Sequence, residues 1–143
     1  MKTGKALGID FGLKRTGLAI TDALRIVASP LEAIPTSDLK KRIEQLIKQE
    51  NISTIVLGES IHADGTVSDI GKKQHEFLHW LEKHFPDCEI ICIDERNTSK
   101  EAAEALFIGG MKKAKRQIKG NLDKVSAAII LQRFLNFLIS ALS

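Results

Sequence analysis

Short apolar runs alternate with turn residues in the first part of the chain. The runs cover residues 5–10, 17–21 and 25–29, and they end at Asp10-Phe11-Gly12, at Asp22 and at Pro30. Runs of this length that are bounded by Gly, Asp and Pro are typical of strands. Because the segments between them are short, the pattern predicts three antiparallel strands in a meander.

Helical and strand-like patterns alternate in the rest of the chain. Apolar residues recur at helical spacing after the N-cap residues Thr36-Ser37-Asp38, from about residue 67 to 84, from Thr98 or Ser99 to 108, and from 122 to 138. Unbroken apolar runs at 53–58 and 89–94 are typical of strands buried on both faces. The order β-β-β-α-β-α-β-α-α predicts an α/β fold, with a mixed five-stranded sheet of three antiparallel and then two parallel strands, flanked by helices.

Length and composition fit a single domain over residues 1–143. A hydrophobic share of 43% is enough for one core, and a charged share of 27% is ordinary. No apolar run is long enough to span a membrane and no secretory leader is evident, so we expect a cytoplasmic protein without a membrane partner. In that compartment Cys88 and Cys92 are predicted to be reduced core residues.

Histidine and tryptophan contribute little candidate chemistry. His75 and His79 stand four apart on a predicted helix, but no further zinc ligands follow the usual spacing. We therefore expect them to face solvent. Trp80 is expected to pack in the fold rather than to stack on a base.

Acidic residues occupy positions where α/β sheets bind ligands, at the carboxyl ends of strands. Asp10 ends the first strand, Asp94 and Glu95 end the last, and Asp123 opens the final helix. Clustered carboxylates repel one another unless a cation holds them, and oxygen ligands suit Mg²⁺ or Mn²⁺. Two such ions can activate a water in phosphodiester cleavage. For any one of these residues alone, a turn or helix-terminus role is the commoner explanation.

Positive charge is concentrated in two segments near these acids. The turn from Gly12 to Gly17 carries Lys14 and Arg15. The segment from 109 to 120 has no acidic residue and contains Lys112, Lys113, Lys115, Arg116 and Lys119. Such charge density suits a nucleic-acid backbone, with a solvated loop as the alternative. The position of the second segment just before Asp123 favours a role in nucleic-acid binding over a solvated loop.

These motifs together resemble a known family. They are Gly8-Ile-Asp-Phe-Gly12, Lys14-Arg-Thr-Gly17, Ala28-Ser-Pro-Leu31, Gly58, Asp64-Gly-Thr66, Asp94-Glu-Arg96 with Thr98, Glu101-Ala102, Lys119-Gly-x-x-Asp-Lys124 and Ala127-Ala-x-x-Leu131-Gln132. In this order and spacing they resemble the YqgF (RuvX) family of Holliday-junction resolvase-like proteins, also described as pre-16S rRNA processing nucleases. The resemblance covers nearly the whole chain and implies a ribonuclease H-like fold.

The resemblance also implies a set of site residues. The acids that would bind divalent metal are Asp10, Glu95 and Asp123, with Asp94 replacing or supporting Glu95. The residues that would contact nucleic acid include Lys14, Arg15, Arg96 and Lys119. After Gly58 the family commonly carries an apolar residue and a proline, whereas this chain has Glu59-Ser60. Glu59 would end a central strand, where the resemblance to resolvases implies a catalytic acid, so it is either a further candidate ligand or a neutral substitution in the loop.

The function expected from these observations is metal-dependent endonucleolytic cleavage of structured nucleic acid with Mg²⁺ or Mn²⁺. The implied substrate is the 5′ end of pre-16S rRNA, in association with ribosomal precursor particles. Two alternatives stay open: resolution of branched DNA at Holliday junctions, and non-catalytic nucleic-acid binding in RNA processing or transcription. The oligomeric state is open as well.

Overall fold

A computed structural model describes residues 4–59, 69–94 and 119–142 of the chain. In these ranges five strands lie at Lys5–Asp10 (β1), Arg15–Thr21 (β2), Ala28–Pro35 (β3), Ile52–Glu59 (β4) and Glu89–Asp94 (β5). Three α-helices lie at Leu39–Glu50 (α1), Asp69–His84 (α2) and Lys119–Leu142 (α3). The helix predicted between Thr98 or Ser99 and residue 108 lies outside the described residues.

The strands form one sheet in the order β3-β2-β1-β4-β5. β2 is antiparallel to both β1 and β3. β4 is parallel to both β1 and β5. The predicted mixed sheet of three antiparallel and two parallel strands is therefore confirmed, with β1 at its centre.

Helices cover both faces of the sheet. Successive strand residues point to opposite sides, so the apolar residues of the strands lie on both faces and pack against helices there. On one face, Leu7, Ile9, Leu18, Ile55 and Leu57 pack with the α1 and α2 residues Leu39, Ile43, Leu46, Phe77 and Leu81. On the other face, Ala6, Ala19 and Val56 pack with the α3 residues Ala127, Ile130, Leu131, Phe134 and Leu135. The small residues of the second face let α3 lie close to the sheet. None of the described helices is both long enough and apolar enough to cross a membrane.

The start of β3 differs from the prediction, since the strand begins at Ala28 rather than at Arg25. One Asp22 carboxylate oxygen accepts the Ile26 and Val27 amide hydrogens at 2.8 and 2.9 Å. Arg25 takes a left-handed conformation with φ 56°. This side-chain-directed turn competes with strand pairing and holds residues 25–27, including the apolar Ile26 and Val27, out of the sheet.

The end of β3 also differs, because the strand runs through Pro30 to Pro35. Proline is tolerated there because β3 is an edge strand of the described sheet and its missing amide can face outward. The register shifts where Leu18 pairs with Glu32 but Ala19 pairs with Pro30. Leu31 is thus an extra residue in a bulge, and the proline does not end the strand as predicted.

The starts of two helices can be compared with the prediction. Asp38 lies at the N-cap position of α1, within the predicted N-cap residues, but its side chain makes no capping hydrogen bond. α3 begins at Lys119, which places Asp123 inside the helix rather than at its opening. The side chains of α3 are not buried on all sides, since Phe137 and Ile139 are exposed. A helix packed on one sheet keeps an outward side whatever its composition.

Cys88 and Cys92 form no disulfide, as expected, but they differ in exposure. Cys88 is half-buried, whereas Cys92 is exposed on β5, at the edge of the described sheet. The prediction that both are core residues is therefore wrong for Cys92. Partial burial, together with the nearby carboxylates of Glu59 and Glu82, raises the pKa of the Cys92 thiol. The thiol is therefore protonated and weakly nucleophilic near neutral pH.

The aromatic and histidine predictions are confirmed. Trp80 stacks on Phe77 with ring centroids 5.9 Å apart and meets the edge of Phe85 at 5.6 Å. His75 and His79 are exposed on α2.

The Asp22 turn predicts a pH-dependent contribution to stability. Its amide hydrogen bonds lower the pKa of Asp22 below the ordinary 3.8. A lowered folded-state pKa contributes stability above the unfolded pKa, and this is lost as the pH falls through the folded value. We expect Asp22→Asn to lower the urea midpoint at pH 7, and the difference from wild type to shrink below about pH 4. The exposed Glu44→Gln is the control, and a difference independent of pH would contradict the assignment.

Candidate active site at the carboxyl end of β1

Asp10 is the last residue of the central strand. It is half-buried, and its Cα pairs with that of Gly17 on β2. By strand alternation it shares a face with Ala6 and Gly8, the face on which α3 packs. The predicted placement of Asp10 at a strand end is confirmed, and the structure adds which side of the sheet it occupies.

Gly17 brings α3 to this position. A Cβ atom at Gly17 would lie 2.0 Å from the backbone carbonyl oxygen of Asp123, so the helix backbone lies directly on the glycine. Cross-strand neighbours in an antiparallel pair have Cα atoms about 5 Å apart. Asp123 therefore comes from a distant part of the sequence to the neighbourhood of Asp10.

Gly8 permits a second close approach along the same helix. A Cβ at Gly8 would lie 2.8 Å from the Ala127 carbonyl oxygen and from the Leu131 Cβ. A glycine within a strand often marks close approach of another backbone, and this was the signal in the sequence that could have found both contacts. Gly8 and Gly17 together determine how α3 sits across β1 and β2.

Arg15 provides positive charge beside Asp123. The Arg15 Nε lies 3.9 Å from the Asp123 Oδ2, which is an ion-pair separation and too long for a hydrogen bond. This carboxylate oxygen is buried, while the Arg15 side chain is 40% exposed. The guanidinium can therefore reach both the carboxylate and a ligand in solvent. Lys14, one residue earlier at the tip of the hairpin, is exposed.

Glu59 lies on the other face of the sheet from Asp10. It ends β4, and strand alternation places it with Ile55 and Leu57, which pack against α1 and α2. The effect of Glu59 on the pKa of Cys92 agrees with that side. Asp94 is the register partner of Glu59 at the end of β5. The structure thus brings Asp10 and Asp123 together and separates Glu59 from them.

Several predicted site residues lie outside the described residues. They are Glu95, Arg96, Lys112, Lys113, Lys115 and Arg116. Lys119 is the first residue of α3. Within the ranges the structure describes, no group of three or more His, Cys, Asp or Glu residues could hold a metal ion. The described part of the site therefore consists of two carboxylates and one guanidinium.

Gln74 is a residue of this region that the sequence did not single out. Its side-chain amide is buried on α2 and donates to the Gly58 carbonyl oxygen at 3.1 Å. This contact ties the end of β4 to α2. A polar residue on the inward side of an otherwise apolar helix stripe was the available signal.

The architecture matches that of two proteins solved with Holliday junction DNA. A fowlpox virus resolvase solved with Holliday junction DNA superposes with a TM-score of 0.62 and 13% identity, covering 94% of this chain and 98% of that one. RuvC of Thermus thermophilus, solved with a Holliday junction substrate, gives 0.56 and 16%, covering 94% and 96%. The fold is therefore the ribonuclease H-like fold of the RuvC-type resolvases.

Sequence comparison narrows this class to one family. The RuvX family, described as Holliday junction resolvase, matches residues 4–137. A protein of Amoebophilus asiaticus named "Putative pre-16S rRNA nuclease" is 43% identical over 93% of this chain and 94% of its own length. A relative of the same name from Christiangramia forsetii is 40% identical over 92% and 97%. This chain belongs to the RuvX family of nucleases.

Proposed function

We propose that this protein is a metal-dependent endonuclease that processes the 5′ end of pre-16S rRNA. The observation that carries the proposal is the seating of α3 on Gly17, which brings Asp123 beside Asp10 and next to Arg15. The names of the relatives support the substrate. The proposed setting is the cytoplasm, in association with ribosomal precursor particles.

The donor chemistry fits a hard divalent cation. Asp10 and Asp123 offer only carboxylate oxygens, which Mg²⁺ and Mn²⁺ prefer, and Glu95 is proposed as the third ligand. When bound, the ion would supply Lewis acidity for water activation and for charge on the leaving oxygen. Without a cation the carboxylates repel each other, and Arg15 offsets part of that repulsion at 3.9 Å from Asp123.

The basic residues hold the substrate in this proposal. Arg15 is exposed enough to leave its ion pair and form two parallel hydrogen bonds to a phosphate. Lys14 adds a second cation at the hairpin tip. Arg96, Lys112, Lys113, Lys115, Arg116 and Lys119 are proposed to extend the phosphate contacts.

Contacts to phosphate orient the substrate without reading its sequence. RNA would then be selected by shape and by single-stranded regions. A second candidate substrate is a four-way DNA junction, which the description of the family favours. Both substrates present phosphates to the same basic residues. The two candidate substrates are therefore distinguished by their measured cleavage rates.

The proposal predicts cleavage of a labelled pre-16S rRNA fragment with Mg²⁺ or Mn²⁺ and none with EDTA. We expect the rate to exceed that on a four-way DNA junction at least about tenfold, a difference of about 1.4 kcal/mol in transition-state stabilisation. A linear duplex DNA is the control for nuclease activity that does not depend on the structure of the substrate. Faster cutting of the junction would support the second candidate. Binding of RNA without cleavage under any ion would favour a non-catalytic binding factor instead.

A further inference from the structure

A closed ring of hydrogen bonds joins the β1–β2 hairpin to the start of the segment after β3. The Gly12 amide donates to the Thr16 hydroxyl at 3.4 Å. The Thr16 and Thr36 hydroxyl oxygens are 2.9 Å apart. The Thr36 hydroxyl donates to the Gly12 carbonyl oxygen at 2.6 Å, which closes the ring.

The chemistry of the groups determines the direction of every bond in the ring. A carbonyl oxygen can only accept, so the single proton of the Thr36 hydroxyl is committed to Gly12. The Thr16 hydroxyl must then donate to Thr36, and it accepts from the Gly12 amide. Each group therefore donates once and accepts once, and such chains of hydrogen bonds reinforce one another.

Thr36 also holds the hairpin through its backbone. Its amide donates to the Lys14 carbonyl oxygen at 2.9 Å. The preceding residue, Pro35, is the register partner of Arg15. The turn itself is tight, because a Cβ at Gly12 would lie 2.1 Å from the Arg15 carbonyl oxygen. Thr36, which lies outside the β1–β2 hairpin, thus holds the hairpin tip in position.

The hairpin tip connects directly to the candidate site. It follows Asp10 along the chain, and it carries Lys14 and Arg15, of which the second is ion-paired to Asp123. Arg and Lys side chains lose much conformational freedom on binding, so a fixed backbone beneath them favours the contact.

We propose that Thr36 is a positioning residue, whose hydroxyl holds the Gly12–Arg15 turn so that Arg15 meets a substrate phosphate. This inference rests on the proposed function for its ligand, since it assigns Arg15 to phosphate contact. It adds a residue that makes no contact with the substrate and lies outside the acidic and basic motifs. Thr16 has the matching role inside the hairpin, where its side chain is fully buried.

The salt dependence of RNA binding separates positioning from support of the fold. Each phosphate contact contributes about one to the slope of log affinity against log salt concentration. A residue that only supports the fold changes the folded fraction and leaves that slope unchanged. A residue that positions Arg15 removes a phosphate contact and lowers the slope.

The experiment measures binding of a labelled pre-16S rRNA fragment in EDTA over a salt series. The variants are Thr36→Val, which replaces the hydroxyl by a methyl group, Thr36→Ser, which keeps the hydroxyl, and Arg15→Ala. The matched control is Thr21→Val, because the Thr21 hydroxyl oxygen accepts the Ala6 amide hydrogen at 2.9 Å at the far end of the same strand pair. If Thr36→Val does not fold, Thr36→Ala removes the same hydroxyl without a methyl group in its place.

We expect Thr36→Val and Arg15→Ala each to weaken binding about tenfold and to lower the slope by about one. Combining the two should weaken binding no further than Arg15→Ala alone, because Thr36 acts through Arg15. Thr36→Ser should restore the wild-type slope, and Thr21→Val should keep it.

A folded Thr36→Val protein with the wild-type slope would overturn the proposal, as would additive effects of the two substitutions. Binding in EDTA does not require cleavage, so failure of the nuclease proposal leaves this result interpretable. If wild type binds neither the RNA nor a four-way DNA junction, the assignment of the hairpin to phosphate contact is wrong.

Discussion

Asp10→Asn combined with Asp123→Asn should reduce phosphodiester cleavage at least about 10³-fold while the protein stays folded. Ligand carboxylates hold the ion whose charge stabilisation is worth several kcal/mol, and about 4 kcal/mol corresponds to about 10³-fold in rate. Asparagine has nearly the same shape and removes two negative charges that repel each other. The melting temperature should therefore not fall, and RNA binding should be equal or tighter. Single-turnover cleavage and calorimetric titration with Mn²⁺ measure both effects.

Glu59→Gln is the matched control for this pair of substitutions. Glu59 also ends a strand next to β1, but alternation places it on the α1 and α2 face rather than the α3 face. Glu59→Gln should keep the cleavage rate within about threefold of the wild-type rate, which corresponds to a change of less than 1 kcal/mol in the activation free energy. A Glu59→Gln protein as inactive as the double variant would contradict the separation of the two faces. Cleavage by the double variant would exclude these carboxylates as the metal ligands.

Gly17→Ala should strongly destabilise the protein. The added Cβ would lie 2.0 Å from the Asp123 carbonyl oxygen and 2.3 Å from its carbonyl carbon. Both are helix backbone atoms, which cannot turn aside as a flexible side chain can. α3 must therefore move away from the sheet. Overpacking of this kind costs about 3 kcal/mol or more, a large part of the stability of a domain this size.

The same substitution should impair cleavage in the protein that remains folded. Displacement of a catalytic group by about 1 Å can cost about 10²-fold in rate, and Asp123 moves with the helix. Gly8→Ala should destabilise less, because its nearest atoms would be 2.8 Å away and one belongs to a side chain. Leu13→Ala, at an exposed position of the same hairpin, is the control in urea titrations. If Gly17→Ala has the same stability and activity as the wild type, α3 does not pack directly on this glycine.

Patterns of hydropathy predicted most elements well, because they depend on near neighbours. β1 and β5 lie where their apolar runs do, and β4 is longer than its run by one residue at each end. β3 starts later than predicted because the Asp22 carboxylate accepts hydrogen bonds from the Ile26 and Val27 amides and holds these apolar residues in a turn. The local pattern predicts a strand end at Pro30, because the place of this residue at the sheet edge is a property of the whole topology.

The candidate site was predicted in part. Asp10 and Asp123 were identified as acids at the ends of elements, and Arg15 as a cation beside them. The sequence did not identify Gly17 as the contact that joins them, since that requires knowing where α3 lies. It also left Glu59 as a candidate ligand, because the face of a strand residue is known only when the register is known.

The sequence alone determined the fold class, the family and the chemical character of the site, since these depend on residue types and their spacing. Only the tertiary structure decided which acid lies beside which, because Asp10 and Asp123 meet through a helix that crosses two glycines. It also decided that Thr36 holds the hairpin of Arg15, through hydrogen bonds between segments that are distant in sequence. Local spacing does not encode such contacts, because they depend on the pairing and packing of the whole chain.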